Sequence, residues 1–331
     1  MDQGEQPSER ADAKTERPRT ERAPDLVLAV AALALMVPWL ARLTGYEPGP
    51  LTYLVALTPW FTLAWLVLAL VAGLTRRWTM LGTVALPTVV SIGWASTMFI
   101  GASVDPAEHE TVTVATVNAT FGRVDADAVV ALVEEYDVDV LAVQELTPDV
   151  FEALEAAGLS ARLPEVNAWP ADGFDGTGLW TRLPVAEPMR VDGFVSKAVH
   201  STVTIGGDDI TILAAHPAAP GVQTHRDWDA DLALLETVAS SIEGPAMIVG
   251  DLNATRDHPG FRRLEDAGFR DAADDAGAGF VPTFPEGRLP FPVVAIDHVM
   301  ARDVDWAAAS VETVSLSGAD HRALVVTYAI D

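Results

Sequence analysis

Side chains that can bind metal ions or move protons occur beside apolar stretches in the second two-thirds of this 331-residue chain. Such stretches predict strands, and the end of a strand is a rigid support for a reactive side chain. The set is rich in oxygen, the ligand type that Mg²⁺ prefers while it retains several waters. Its members are Asn118, Glu145, His216, Asp251, Asn253, Asp297, His298, Asp320 and His321.

These residue types suit the hydrolysis of phosphate esters. A divalent cation offsets the charge of the phosphoryl oxygens and polarises the phosphorus centre. Histidines such as His216 and His321 can carry protons or donate to those oxygens. A carboxylate beside a histidine fixes its tautomer and raises its basicity, a role that Asp297 could have towards His321. We therefore expect Mg²⁺ as the cofactor, with Mn²⁺ or Ca²⁺ as alternatives.

Short strands and helices must position these side chains. Thr111–Val117 is rich in β-branched residues, and Asp125 can cap a helix over Ala126–Tyr136. Many short strands with interspersed helices indicate an α/β (α+β) fold, in which two sheets pack face to face with helices outside. Further strands are predicted at Val138–Val143, Leu179–Thr181, Ser201–Ile205, Ile210–Ala215, Ala246–Gly250, Ala295–Ala301 and Ala323–Ile330, and further helices at Arg226–Ile242 and His258–Ala267.

The first hundred residues have a different composition. Residues 1–24 are charged and without apolar periodicity, which predicts a disordered tail. Three apolar runs follow at about 26–43, 51–74 and 78–100, and each is long enough to cross about 30 Å of hydrocarbon. We predict three transmembrane helices within residues 25–101 and a catalytic domain over 102–331. A buried helical hairpin or a cleaved signal peptide explains three such runs less well.

Basic residues indicate the side of the membrane that each part occupies. They are plentiful in the tail, single in the first loop (Arg42), paired in the second loop (Arg76 and Arg77) and missing from Gly101–Thr113. By the positive-inside rule, this pattern predicts a multi-pass protein of the cell membrane with a cytoplasmic N-terminus and an extracytoplasmic catalytic domain. Arg42 is the one residue that argues against this orientation.

The predicted catalytic domain is strongly acidic. Residues 1–101 hold 8 Lys and Arg against 8 Asp and Glu, so the whole formal charge of −26 belongs to residues 102–331, with 13 basic and 39 acidic residues. Affinity for nucleic acid rests on Lys and Arg that neutralise phosphates, so nucleic acid is disfavoured as a partner. The chain has no cysteine, which excludes disulfides and thiol chemistry.

The polar residues lie in blocks that resemble the endonuclease/exonuclease/phosphatase superfamily, in the family's order. The resemblance runs from about Thr111 to the C-terminus and implies a four-layer αββα sandwich of the DNase I-like type. The three-helix layout is also similar to that of bacterial teicoplanin-resistance membrane proteins. The blocks are Thr116–Asn118, Val143–Glu145, Gly176–Pro184, Ala215–Pro217, Ile248–Ala254, Ile296–Val299 and Ser317–Arg322.

The resemblance implies a role for each oxygen-bearing candidate. Glu145 would be the main metal ligand, with Asn118 near the metal and Asp320 sharing in its coordination. Asp251 would orient or deprotonate the attacking water. Asn253 would bind phosphate.

The resemblance also assigns the histidines. His321 would be the catalytic histidine, oriented by Asp297, and His216 would contact the scissile phosphate, with a surface-loop histidine as the alternative. The acidic partner that some relatives supply to the second histidine is not identifiable in the sequence. Trp228 and Arg226 either line the substrate mouth or simply pack.

Three functions remain open on the sequence. The leading one is a metal-dependent phosphoesterase that cleaves phosphate mono- or diesters, either small ones or lipid-linked phosphates of the cell envelope. A membrane tether favours the lipid-linked substrate, because it raises the effective concentration of the site near the bilayer. The alternatives are a membrane-bound endonuclease or exonuclease acting on DNA, and a non-catalytic module that binds the envelope on a retained fold.

Overall fold

The computed structural model describes residues 19–101, 104–221 and 223–330. Strands in this part of the chain form two six-stranded sheets, sheet A in the order β11-β12-β1-β2-β4-β3 and sheet B in the order β5-β6-β7-β8-β10-β9. The strands are β1 (Glu110–Asn118), β2 (Val140–Gln144), β3 (Glu165–Trp169), β4 (Thr177–Thr181), β5 (Val185–Val191), β6 (Ala198–Ile205), β7 (Asp208–Ala214), β8 (Ala246–Asp251), β9 (Arg270–Asp271), β10 (Asp297–Arg302), β11 (Trp306–Ser315) and β12 (Arg322–Ile330).

Both sheets are mixed. β1 runs parallel to β2 and β7 runs parallel to β8, whereas the other neighbouring strands are antiparallel. Along β1, Val112 and Val114 face the core between the sheets, and Ala115 and Val117 face the outer layer. A strand buried on both faces carries few charged residues, and β1 accordingly consists of threonine, valine and alanine between its terminal residues.

Helices cover the outer face of each sheet. α5 and α6 share a core with sheet A, and α7 and α8 share one with sheet B. The layers are therefore helices, sheet, sheet and helices, which confirms the predicted architecture. The helices are α1 (Arg19–Thr44), α2 (Leu51–Ala56), α3 (Thr58–Leu74), α4 (Trp78–Ser96), α5 (Ala126–Glu135), α6 (Pro148–Ala156), α7 (His225–Ser241), α8 (Pro259–Asp266) and α9 (Ala272–Asp275).

The apolar N-terminal runs form helices, but with a different division from the predicted one. Among the described residues, two helices are long and apolar enough to cross a membrane, Ala23–Thr44 and Trp78–Phe99. The predicted single span over 51–74 is wrong, because α2 ends at Ala56 and α3 begins at Thr58. Proline explains the break: Pro59 lacks an N–H, and its ring clashes with the carbonyl four residues earlier.

The predicted disordered tail falls mainly on residues 1–18, which lie outside the described residues. The backbone is already helical from Arg19, so the prediction of disorder is wrong for residues 19–24. Proline is tolerated in the first turns of a helix, which accounts for Pro24 near the start of α1.

α1, α3 and α4 pack as a helical bundle. Trp65, Leu68 and Val84 are buried at its centre. Its outer surface carries large apolar side chains that remain exposed, among them Leu33 at 70% and Leu74 at 75%. Soluble monomers rarely expose contiguous apolar patches larger than a few hundred Å².

One end of the bundle rests on the loops of sheet B. Arg42 Nε donates to Asp257 Oδ1 at 2.6 Å, and His258 Nε2 donates to the carbonyl oxygen of Thr52 at 3.1 Å. We call this contact between residues 42–60 and the catalytic domain the seam. Arg42, the residue at odds with the predicted orientation, is thus neutralised by the catalytic domain itself.

Glu47 is buried in the seam and should make its stability depend on pH. Burial raises the pKa of Glu47 to about 8, although the Arg262 guanidinium lowers it. The folded state therefore binds this proton more tightly than the unfolded state, so the stabilisation is complete below about pH 4.5 and is lost as pH rises through 8.

We expect the free energy of unfolding to decrease by on the order of 1–4 kcal/mol when the pH is raised from 6 to 9. The midpoint of thermal unfolding should decrease with it. Glu47→Gln keeps the buried amide neutral and should flatten this dependence, as measured by thermal scans at both pH values. Glu108→Gln, at an exposed position, is the matched control. An unchanged pH dependence in Glu47→Gln would contradict the assignment.

Candidate active site

The polar candidates meet at one edge of the two-sheet core because of the strand directions. Asn118 and Gln144 end the parallel strands β1 and β2 and are partners in register. Asp251 ends β8 opposite Asp297, the first residue of the antiparallel strand β10. Strand ends from both sheets therefore point to the same cleft, and Glu145 follows directly after β2.

Asn118 links the two sheets at the centre of this cleft. Its Nδ2 donates to Asp251 Oδ2 at 2.9 Å and to Glu145 Oε1 at 3.2 Å. Its Oδ1 accepts from the backbone N–H of Thr120 at 2.8 Å. Asn118 and Asp251 are both buried. One amide thus holds two carboxylates, one from each sheet, close together.

A turn after β1 holds Glu145 together with a third carboxylate, Asp320. Phe121 N–H donates to Glu145 Oε2 at 2.6 Å, and Thr120 Oγ1 donates to Asp320 Oδ1 at 2.9 Å. Thr120, Phe121 and Glu145 have φ values of 52°, 53° and 54°, and Asn253 has 49°. Non-glycine residues in this left-handed region are uncommon, and such backbone strain clusters at functional sites.

His321 and Asp297 form a buried pair. His321 Nδ1 donates to Asp297 Oδ2 at 2.9 Å, and His321 Nε2 lies 3.7 Å from Asp251 Oδ2. Burial lowers the pKa of His321, but the carboxylates of Asp297 and Asp251 outweigh it and raise the pKa to about 9. Burial raises the pKa of Asp251, and the charge of His321 opposes this shift. At neutral pH, His321 is therefore a cation whose Nε2 faces the cleft.

His216 and Asn253 stand together on the sheet B side. Asn253 Nδ2 donates to His216 Nε2 at 3.3 Å and to the carbonyl oxygen of Pro217 at 3.0 Å. His216 Nε2 also lies 3.7 Å from Asp251 Oδ2. His216 is buried, so the alternative of a surface-loop histidine is wrong. Trp228 Nε1 donates to the carbonyl oxygen of Asn253 at 3.0 Å, so this tryptophan is packed and supports Asn253.

Arg226, by contrast, is exposed at the start of α7. A buried carboxylate on the same helix, Asp231, accepts from Ala218 N–H at 2.9 Å and supports the loop that carries His216. Burial raises the pKa of Asp231, and His216 is among the charges that lower it. Asp231 thus acts on His216 through the loop and its charge, whereas His216 Nδ1 is buried without a hydrogen-bond partner. The i, i+3 spacing from Trp228, on the buried face of the helix, was the available signal for Asp231.

Sequence reasoning also missed three residues around Asp320 and His321. Thr120 bonds Asp320, and Arg288 Nη2 donates to Asp320 Oδ2 at 2.7 Å. The ring of Phe284 packs on the His321 ring at 4.7 Å between centroids. Arg288 is one of few basic residues in an acidic domain, and that scarcity is the signal that could have pointed to it.

His298 has a structural role. Its Nδ1 lies 2.6 Å from Asp271 Oδ2, and its Nε2 lies 3.0 Å from the carbonyl oxygen of Ala254. The ring also packs against Phe261, with 4.6 Å between centroids. Both ring nitrogens are therefore engaged, and the histidine ties β10 to the loop after β8.

The oxygen donors fit a divalent cation. Glu145 and Asp320 are carboxylates held by consecutive residues of one turn. Asn118 turns its Nδ2 to Glu145 and its Oδ1 to the Thr120 N–H, so it positions the carboxylate beside it. Carboxylate pairs of this kind suit Mg²⁺, which takes one or two carboxylates and keeps waters. Asp251, Asp297 and His321 also place ligand atoms within 4.8 Å of one another. In that group His321 Nδ1 is occupied by Asp297, which suits proton transfer better than ligation.

This arrangement can perform hydrolysis at a phosphorus centre. A cation held by the carboxylates of Glu145 and Asp320 would neutralise phosphoryl oxygens. The carboxylate of Asp251 can orient a water and accept its proton. His321, protonated at neutral pH, can donate to a phosphoryl oxygen. Asn253 can do so in exchange for the hydrogen bond from its Nδ2 to His216.

Gly250 allows the close approach of two strands that the site needs. Its φ is 151°, and a Cβ there would lie 2.1 Å from the carbonyl oxygen of Ala215. Gly250→Ala should therefore separate Asp251 from His216 and cost about 2–4 kcal/mol of unfolding free energy. Denaturant unfolding measures this loss. Gly82→Ala is the matched control, because its Cβ would meet nothing within 4 Å, and an equal effect in both variants would refute the steric argument.

Comparison with known proteins agrees with this geometry. The family described as the Endonuclease/Exonuclease/phosphatase family matches residues 115–321, more than half of the chain. The TDP2 structure from D. rerio in complex with single-strand DNA product is 15% identical, with a TM-score of 0.55 over 66% of this chain and 99% of that chain. An endonuclease/exonuclease/phosphatase from Bacteroides vulgatus is 18% identical, with a TM-score of 0.53 over 67% of this chain and 99% of that chain.

A third similar structure is the endonuclease/exonuclease/phosphatase from Beutenbergia cavernae DSM 12333. It is 18% identical, with a TM-score of 0.52 over 66% of this chain and 72% of that chain. No curated protein matches the sequence significantly. At these identities, the structures establish a common fold, and the family match adds the hydrolytic chemistry. The chain belongs to the endonuclease/exonuclease/phosphatase family and is a hydrolase that acts on phosphoester bonds.

Proposed function

We propose that this protein is a membrane-anchored, divalent-metal-dependent phosphoesterase that cleaves lipid-linked phosphate esters at the extracytoplasmic face. The observation that carries the proposal is the position of the site. The cleft of His321 and Asn253 adjoins the seam, at the end of a bundle whose outer surface is apolar. A bundle of this kind suits insertion in a bilayer, which would place the catalytic cleft at the membrane surface.

The distribution of basic residues supports the proposed orientation. Arg77 pairs with Asp25 at the end of the bundle remote from the catalytic domain. At the other end, Arg42 is paired with Asp257. By count, the basic residues Arg76 and Arg77 lie at the remote end, whereas Arg42 is the basic residue at the near end of the bundle, which favours a cytoplasmic remote end.

A nuclease is the second candidate function. One specific observation favours it, because the similar TDP2 structure contains a single-strand DNA product. The charge of the chain opposes it, since residues 102–331 carry 13 basic against 39 acidic residues. Such a surface repels a phosphate backbone unless salt or divalent cations screen it.

A substrate panel distinguishes these functions. The purified full chain, embedded in lipid nanodiscs, is offered lipid phosphates, small phosphodiesters and plasmid DNA with Mg²⁺ or Mn²⁺. We expect metal-dependent phosphate release from lipid phosphates, abolished by a chelator. Nicking of plasmid DNA with no cleavage of lipid phosphates would replace the proposal with the nuclease. Inactivity on all substrates would favour a non-catalytic binding module.

A further inference from the structure

A cavity of about 330 Å³ connects the catalytic side chains with the N-terminal helices. His321 and Asn253 line it on the catalytic side, and Ala56 and Leu57 line it from the turn between α2 and α3. Most of the other lining residues are apolar, among them Val293 and other residues of the loop before β10. Ligand sites typically combine apolar walls with a few convergent polar groups, and this cavity has both.

Specific hydrogen bonds fix the wall that the helices contribute. Tyr53 Oη donates to the carbonyl oxygen of Pro220, which lies on the loop after His216. His258 Nε2 donates to the carbonyl oxygen of Thr52 at 3.1 Å. The backbone N–H of Thr255 donates to His258 Nδ1 at 2.7 Å, which leaves the proton on Nε2. Burial lowers the pKa of His258 to about 4, in keeping with this neutral tautomer.

A third contact, on the side of α3, involves Val293, which lines the cavity. Trp60 Nε1 donates to the carbonyl oxygen of Val293 at 2.8 Å. The Trp60 ring also stacks on Phe291, with 5.9 Å between centroids and 29° between planes. Three residues of the N-terminal segment thus bind three separate loops around the site. The N-terminal segment is therefore an ordered part of the cleft wall.

The chemistry of the cavity identifies its occupant. Polar donors that suit a phosphate, His321 and Asn253, stand beside walls that suit hydrocarbon. The cavity is many times larger than the space that one water needs, so it can hold a chain of several methylene groups. The turn of Ala56 and Leu57 leads directly into α3 of the apolar bundle. An alkyl chain that extends from a phosphate would therefore pass along the seam towards the apolar bundle.

We propose that the seam cavity binds the phosphate-proximal hydrocarbon chain of a membrane-anchored phosphate ester, so that residues of the membrane anchor determine substrate specificity. This inference rests on the proposed function and names the substrate subsite within it. Ala56 and Leu57 are the specificity-determining residues, since both line the cavity from the anchor. The head-group phosphate then lies against His321 and Asn253.

Binding of n-alkyl phosphonates tests this subsite without hydrolysis, because their P–C bond resists phosphoester cleavage. Titration of the full chain in nanodiscs with Mg²⁺ should show affinity that rises with chain length from methyl to hexyl. Full burial of each methylene corresponds to about a fourfold gain in affinity, which is the upper limit of the slope. Empty nanodiscs provide the background partition of each phosphonate.

Two variants test whether the increase of affinity with chain length arises in the cavity. Ala56→Phe fills the cavity and should reduce the gain from methyl to hexyl at least tenfold, while methylphosphonate affinity changes less than about threefold. Leu57→Gln makes the wall polar and should likewise reduce the gain in affinity from methyl to hexyl while methylphosphonate binding is retained. If Ala56→Phe binds no phosphonate at all, Leu57→Gln provides the test of the subsite. Ala85→Phe, at an exposed position on α4, should keep the wild-type slope.

The outcomes separate the subsite from the proposed function. The proposed subsite would be overturned if phosphonate affinity of the wild-type protein did not increase with chain length. It would also be overturned if Ala56→Phe and Leu57→Gln left that increase unchanged. Hydrolysis of hexyl phosphate is measured in the same preparation. A retained slope without hydrolysis of any phosphate ester would overturn the phosphoesterase and leave the subsite supported.

Discussion

Glu145→Gln is expected to lower kcat/KM for every phosphoester substrate by about 10³-fold. Glu145 accepts hydrogen bonds from the Phe121 N–H and the Asn118 amide, so its carboxylate has a fixed position in the cleft. Glutamine preserves the size and can accept one of these two hydrogen bonds, but its NH2 group faces a donor at the other position. It also removes the negative charge that a divalent cation requires. The loss should therefore reflect metal binding and leave the fold intact.

Steady-state kinetics over a range of Mg²⁺ concentrations measure this effect, together with calorimetric titration of the metal. Metal affinity should fall with activity, and the midpoint of thermal unfolding without metal should stay within a few degrees of wild type. Glu152→Gln, on the exposed face of α6, is the matched control and should behave as wild type. Wild-type activity in Glu145→Gln would remove Glu145 from the metal site.

Much of this site could be predicted because each candidate occupies a strand end. The apolar run of β2 ends at Gln144, so Glu145 was expected at a sheet edge. The bridge from Asn118 to Asp251 could not be predicted, because it joins sheet A to sheet B. The packing of one sheet on another is a tertiary property that strand periodicity does not encode.

The seam was missed for a different reason. Hydropathy treats residues 51–74 as one apolar run, whereas the turn at Leu57 makes a short helix available to the catalytic domain. Pro59 was the local signal for that break. Arg42 was counted as a charge that opposes the predicted orientation. Its charge is in fact paired with Asp257, which lies 215 residues away in sequence. Pairings at such separation follow from the fold, and single-sequence reasoning has no access to them.

The contacts at the seam change how the anchor should be regarded. An anchor that only tethers a domain would be joined to it by a mobile linker. Here Thr52, Tyr53 and Trp60 each form a hydrogen bond with the catalytic domain. Truncation at residue 101 would therefore expose the seam and remove one wall of the cleft. Activity assays on the isolated domain would report a different site from that of the full chain.

His321→Asn is the second substitution with a large expected effect, again about 10³-fold in kcat. His321 Nδ1 lies 2.9 Å from Asp297 Oδ2, and His321 Nε2 lies 3.7 Å from Asp251 Oδ2. Because those carboxylates raise the pKa of His321 to about 9, it is protonated at neutral pH. Asparagine can still donate one hydrogen bond but carries no charge and transfers no proton. Asp297 acts only through His321, so Asp297→Asn should cost less, about 10- to 100-fold.

The double variant provides the sharper measurement. If Asp297 only positions and charges His321, then Asp297→Asn combined with His321→Asn should be no slower than His321→Asn alone, because the interaction is already lost. Multiplicative losses would show an independent role for Asp297. The pH profile adds a separate readout: Asp297→Asn removes a carboxylate that raises the pKa of His321, so the alkaline limb of its kcat profile should move to lower pH. A limb that stays in place would contradict the assignment of His321 as the titrating acid.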